Sequence, residues 1–179
     1  METQTFKNLS SRPRTNNPNR IVVHHTGGTD KYPLADTSHH TAKIIEKWHL
    51  SKPGWIGIGY HYVIHKDGTV WKGRPEHVHG AHAKARNNES IGICLSGNFD
   101  LTLPTKEQED ALRTLMLDIK SRYTIEDIEP HRATANKTCY GNNLSEDWAR
   151  NLVAEEVNIL LKDATLYQVV IRLMQLLPK

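Results

Sequence analysis

The sequence predicts an α/β fold: a single domain with a central, mostly mixed β-sheet flanked by helices, plus a C-terminal amphipathic helix. Three observations carry this expectation. Short β-branched runs are interspersed with helical apolar patterns, one tight hairpin signal joins two of those runs, and no internal repeat organises the chain. A hairpin next to strand–helix alternation makes the sheet mixed rather than purely parallel.

Residues 1–19 carry Ser10-Ser11-Arg12-Pro13-Arg14 and Asn16-Asn17-Pro18-Asn19, rich in breakers and without periodicity, and read as an N-terminal arm or loose tail. Arg20–His25 is a short β-branched run closed by Thr26-Gly27-Gly28, hence a buried strand and a turn. Over 37–50, Ile44, Ile45 and Trp48 recur at helical spacing behind Thr37 and Ser38, either of which can cap, and Ser51-Lys52-Pro53-Gly54 stops the helix. Ile58–Ile64 is strand-like, and Lys66-Asp67-Gly68 turns it back into Thr69-Val70-Trp71. A loop rich in glycine and histidine covers 73–89, and Ile91–Leu95 reads as a central strand.

The clearest helix follows Pro104. Thr105 and Gln108 make a capping box, with Ala111, Leu112, Leu115, Met116 and Ile119 along one face. Ile125–Glu129 leads to Pro130-His131, and a loop to Asn143 precedes a third helix that Ser145 can cap, with Trp148, Leu152 and Ile159 inward. The expected domain therefore spans 20–162. In 163–179, Leu166, Val169, Val170, Leu173, Leu176 and Leu177 form an apolar stripe at heptad spacing. That stripe fits a helix packed on its own domain, a self-association seam through 164–177, or the start of a stalk, and under two heptads do not hold alone.

Composition narrows the function classes. At 179 residues with 37% hydrophobic residues, the chain has material for one real core. No apolar run reaches the roughly 18–20 residues that cross a bilayer, so no membrane insertion is expected. The start, Met1–Lys7, has no hydrophobic stretch after a basic opening and so does not read as a signal peptide. A dispersed net charge of +3 does not point to nucleic acid. Cys94 and Cys139 make no disulfide framework. The outstanding feature is eleven histidines, ten of them between His24 and His82, which directs attention to metal or proton chemistry.

Zinc takes imidazole nitrogen and thiolate sulfur, and a catalytic site uses three protein ligands with a fourth position open. The sequence offers His24-His25 at a strand end and His131 with Cys139 eight residues on. Neighbouring strand residues point to opposite faces, so at most one member of the pair can ligate easily. Spacing alone leaves the choice open. His77-Val78-His79 is a weaker chelating pattern, and His39, His40, His49, His61 and His65 read as surface or structural residues.

Six ordered motifs then carry a resemblance: Ile21–Thr26 with its histidine pair, Gly57–Ile64, Lys66–Val70, Gly80-Ala81-His82-Ala83, Ser90–Leu95, and His131-Arg132-Ala133 with Asn136–Cys139. Together they resemble the zinc N-acetylmuramoyl-L-alanine amidases, the superfamily of phage lysozyme amidases and peptidoglycan recognition proteins, over roughly residues 20–160. The resemblance implies one Zn²⁺ held by His24, His131 and Cys139, with a cysteine as last ligand as in the phage and recognition-protein branch. It implies Tyr60 and Lys137 as the catalytic pair, donors to the oxyanion that forms when an amide is attacked. It makes His25 and His82 contacts to a muramyl-peptide. The recycling branch of the family carries a glutamate where this chain has Cys94, which therefore reads as a small buried hydrophobe.

The activity implied is hydrolysis of the bond between N-acetylmuramic acid and L-alanine in bacterial peptidoglycan, as a phage or prophage endolysin made in the cytoplasm and reaching the wall after lysis. The alternative is a recognition module that binds peptidoglycan without cutting it. Such modules typically lack the cysteine ligand, so Cys139 with Lys137 argues against that reading. A structural zinc or nucleic-acid-binding protein is opposed by the two-cysteine count and the weak charge.

Overall fold

A computed structural model describes residues 15–29 and 31–176. Its sheet is built from β1 (Arg20–His25), β2 (Tyr62–Ile64), β3 (Val70–Lys72), β4 (Ser90–Leu95) and β5 (Asp127–Pro130), ordered β3-β2-β4-β1-β5. β1 pairs in parallel with β4 and β5, β2 in parallel with β4, and β2–β3 is the antiparallel hairpin. The mixed sheet expected from the sequence is what forms. The hairpin turns through Gly68 at φ +81°, a left-handed conformation that glycine adopts without a Cβ clash.

Alternation along the strands divides the core into two layers. Ile21 and Val23 of β1, Tyr62 and Ile64 of β2, and Ile91, Ile93 and Leu95 of β4 meet Leu112, Leu115, Met116 and Ile119 of α2 (Lys106–Arg122). On the other face Val63 and Cys94 pack with Ile58 and with Ala42 and Ile45 of α1 (Ala42–Leu50). Cys94 is fully buried there. His24 pairs in register with Cys94, so β1 sends one histidine to the α1 face, in keeping with the period-two rule. The α2 capping box is present in both directions between Thr105 and Gln108.

Several details depart from the sequence expectations. The cap of α1 is Thr41, not Thr37 or Ser38, and the buried face is Ala42, Ile45 and His49, while Trp48 is exposed. Thr37 instead shares a hydroxyl hydrogen bond with Thr26. The strand predicted from Ile58 contracts to Tyr62–Ile64: Ala81 N–H donates to Gly59 O and Arg74 N–H to Tyr60 O, outside any regular ladder. Residues 15–19 behave as an extended arm rather than a loose tail. Thr15 bridges Val78, and buried Asn16 donates its amide to Glu76 O and Ser90 O. Residues 1–14 lie outside the described residues.

The third helix, α3 (Trp148–Leu176), runs through residue 163 without a break. Its first turns bury Ala149, Leu152 and Val153, while Leu161, Leu166 and Tyr167 are 60–63% exposed. At Leu166 the helix therefore does not pack on its own domain. The side chains of Ile159, Val169, Val170, Leu173 and Leu176 lie outside the described residues, as does all of Leu177.

Candidate metal centre and active site

The topology explains why the site assembles. β1 and β5 are adjacent and parallel, so their carboxyl ends open at the same edge, where ligands collect in α/β sheets. His24 and His25 end β1, and His131 directly follows β5 as the first residue of a 3-10 helix, His131–Ala133. The His24 and His131 rings come to 4.5 Å between centroids.

Cys139 is returned to this edge by a pinned loop. Arg132 N–H donates to Cys139 O, and the Arg132 guanidinium donates to Gly141 O and Leu144 O at 2.7 and 2.8 Å. From the far side Asp100 accepts the Thr138 hydroxyl at 2.9 Å and the Asn142 N–H at 2.8 Å. The result sets Cys139 Sγ 3.7 Å from His24 Nδ1, with His25 N–H pointing at the sulfur from 3.4 Å.

One ligand atom each from His24, His131 and Cys139 lies within 4.8 Å of the others, and among the described residues no other histidine, cysteine or acidic group joins them. Two imidazoles and one sulfur form a donor set suited to zinc, and three ligands is the count of a catalytic rather than a structural site. Electrostatics agree with that fit. Burial pushes the Cys139 thiol up to about 12, with the His25 N–H and Lys137 pulling it back. A bound divalent cation would supply the charge that a buried thiolate needs. Burial holds His24 well below the ordinary imidazole value, reinforced by His82 and His131. His131 is lowered too, by burial and then by Lys137, so both rings stay neutral as ligation requires.

These residues form one wall of a pocket of about 330 Å³, which is also lined by His25, Tyr60, Asp100 and Lys137 and by residues 26–29. A larger cavity of about 650 Å³ lies between the β2–β3 hairpin and α2. Both its carboxylates are already engaged, Glu76 by Tyr62, Tyr123 and Arg122, and Asp118 by Arg122.

Tyr60 stands 5.1 Å from the His24 ring, and burial followed by the Cys94 and Cys139 thiols raises its phenol well above the usual 10.0. It is therefore a protonated donor at neutral pH. Lys137 is exposed at the pocket mouth. His25 lines the pocket with its ring against Phe99, and its Nδ1 accepts the Phe99 N–H at 3.0 Å. Of the seven site residues that the resemblance implies, His82 alone lies off the pocket. Its Nδ1 is 3.0 Å from His24 Nε2, behind the ligand rather than beside the opening. Sequence reasoning missed Asp100, because nothing in Gly97-Asn98-Phe99-Asp100 signals a partner 38 residues away.

Comparison with known proteins decides the family. The model for N-acetylmuramoyl-L-alanine amidases (Amidase_2) matches residues 14–142. The chain belongs to this amidase family. The match takes in each residue of the cluster and begins at the arm that Asn16 anchors. The endolysin of Klebsiella phage KP32 is 37% identical over 112 residues, 60% of this chain and 74% of that protein. Peptidoglycan-recognition protein SC2 of Drosophila simulans is 36% identical over 127 residues, 69% of this chain and 68% of its own. Among solved structures, the N-acetylmuramoyl-L-alanine amidase LysC of Clostridium intestinale superposes with a TM-score of 0.71 at 31% identity, covering 88% of this chain and 98% of LysC. Enzymes of the family are generally zinc-dependent.

Proposed function

We propose that this amidase is an endolysin that cuts the amide between the lactyl group of N-acetylmuramic acid and the L-alanine of the peptidoglycan stem. The observation that carries the reading is one pocket walled by His24, His131 and Cys139 and lined as well by Tyr60 and Lys137. His24 through Nδ1, His131 and Cys139 would hold a single Zn²⁺. When bound there, zinc supplies Lewis acidity toward the scissile carbonyl and a nucleophile available at neutral pH.

The remaining work falls to the chain itself. The Tyr60 phenol, protonated at neutral pH, donates to the developing oxyanion, and the Lys137 ammonium adds positive charge from the mouth. His25 presents its ring edge to the muramyl-peptide. Its Nδ1 is committed to Phe99, so Nε2 carries the proton it can donate. The cluster of Cys139 with the two histidines favours hydrolysis over the non-cutting recognition reading suggested by the Drosophila relatives.

Among the described residues no helix is long and apolar enough to cross a membrane. Production in the cytoplasm with access to the wall at lysis accords with the phage endolysins among the relatives. Digestion of purified sacculi tests the activity. Free alanine N-termini should appear without new reducing sugar, and reducing ends without alanine N-termini would overturn the reading.

A further inference from the structure

We propose that His82 is a positioning residue for the metal ligand His24, rather than a contact to the substrate. The inference rests on the reading of His24, His131 and Cys139 as a zinc site. His24 faces Cys139 through Nδ1, so the lone pair must sit on Nδ1 and the proton on Nε2. That Nε2 lies 3.0 Å from His82 Nδ1, which becomes the acceptor. His82 then carries its own proton on Nε2, an atom that is buried and has no hydrogen-bond partner. The ring thus satisfies His24 while leaving its own far nitrogen unpaired.

The slot around this ring is built for it. A Cβ at Gly80 would fall 2.4 Å from His82 Cδ2, and one at Gly92 would fall 2.5 Å from the same atom. Two glycines therefore leave the volume that the imidazole fills. The backbone N–H groups of His82 and Ala83 both donate to Asn87 Oδ1, at 2.9 and 3.0 Å, which fixes the segment that presents the ring. The two rings meet edge to face, with centroids 5.0 Å apart. Metal-bound histidines ordinarily give their second N–H to a carboxylate or carbonyl; here a neutral imidazole does that work, setting tautomer and ring angle without adding charge.

The test is zinc affinity of the full chain, measured without substrate by competition with a chromophoric chelator. His82→Ala should weaken zinc binding about 10- to 100-fold. His82→Asn, whose amide oxygen reaches the place of Nδ1, should restore affinity close to that of the unsubstituted chain. His82→Gln, whose amide lies nearer the place of Nε2, should not. The absorption bands of the Co²⁺-loaded protein should shift in His82→Ala and His82→Gln and return in His82→Asn. Unchanged zinc affinity in His82→Ala, or a raised KM with affinity intact, would overturn the inference. So would equal losses in folded His82→Asn and His82→Gln if His82→Ala does not fold. An unsubstituted chain that binds no zinc would instead remove the metal-site reading itself.

Discussion

Cys139 Sγ lies 3.7 Å from His24 Nδ1, joining the last position but one of β1 to a loop 115 residues later. The Cys139 thiol is held up at about 12 by burial, and His24 is kept neutral by the same cause. The pair makes chemical sense as two-thirds of a metal site, completed by His131.

Removing the sulfur should therefore remove the metal. Cys139→Ala is expected to purify without zinc and without amidase activity while keeping its far-ultraviolet circular dichroism. Metal analysis together with sacculus digestion checks this, and full activity in the variant would defeat the ligand assignment.

The two strand histidines should separate cleanly. His24→Ala is expected to lose zinc. His25→Ala should keep zinc but lose about 1–3 kcal/mol of stability, because the buried Phe99 N–H is left without its acceptor. Metal content and denaturant unfolding of both variants decide the matter.

Tyr60→Phe and Lys137→Ala should each retain zinc and lower kcat about 10²- to 10³-fold, the usual effect of deleting one oxyanion donor. A change confined to KM would instead assign these side chains to substrate binding.

Asp100→Ala should loosen the loop that delivers Cys139. It deprives the solvent-exposed Thr138 hydroxyl and Asn142 N–H of their acceptor, which is expected to lower stability by only about 0.5–1.5 kcal/mol and to weaken zinc binding. Equilibrium unfolding and chelator competition read the two effects separately.

Stability of the metal-free protein should fall with acid. Burial depresses His61 from 6.5 to about 4, and both ring nitrogens are engaged, Nδ1 accepting from Gly92 N–H and Nε2 donating to Val78 O. His49 is lowered to about 4 by burial, then by Lys52 and Arg74, and its Nδ1 accepts the Gly59 N–H. Between those values the unfolded chain binds more protons than the folded one, so stability is complete above pH 6.5 and is lost as pH falls toward 4. For fully buried His61 the loss is on the order of 3 kcal/mol. Unfolding in chelator across this range, compared with His61→Gln, measures it.

Much of this was legible because it is local. The β-branched run ending in His24-His25, the Lys66-Asp67-Gly68 turn and the Thr105/Gln108 box each contain their own cause. The ligand set was harder, since spacing offered only pairs, and the resemblance rather than periodicity named His131 and Cys139. What escaped was non-local. Thr37 looks like a cap until Thr26 claims its hydroxyl, and the cap falls to Thr41. Asn16 sits in a breaker-rich stretch yet is buried, because backbone at Glu76 and Ser90 needs its amide. Asp100 and His82 act through partners brought near only by the sheet order, which no window of sequence contains.

Anomalous scattering at the zinc edge, from crystals of zinc-loaded protein, tests the central claim most directly. The account predicts one strong peak bonded to His24 Nδ1, His131 and Cys139 Sγ, with a coordination position open to the pocket lined by Tyr60 and Lys137. A map with no peak there, or a Cys139 sulfur turned away from it, would contradict the account.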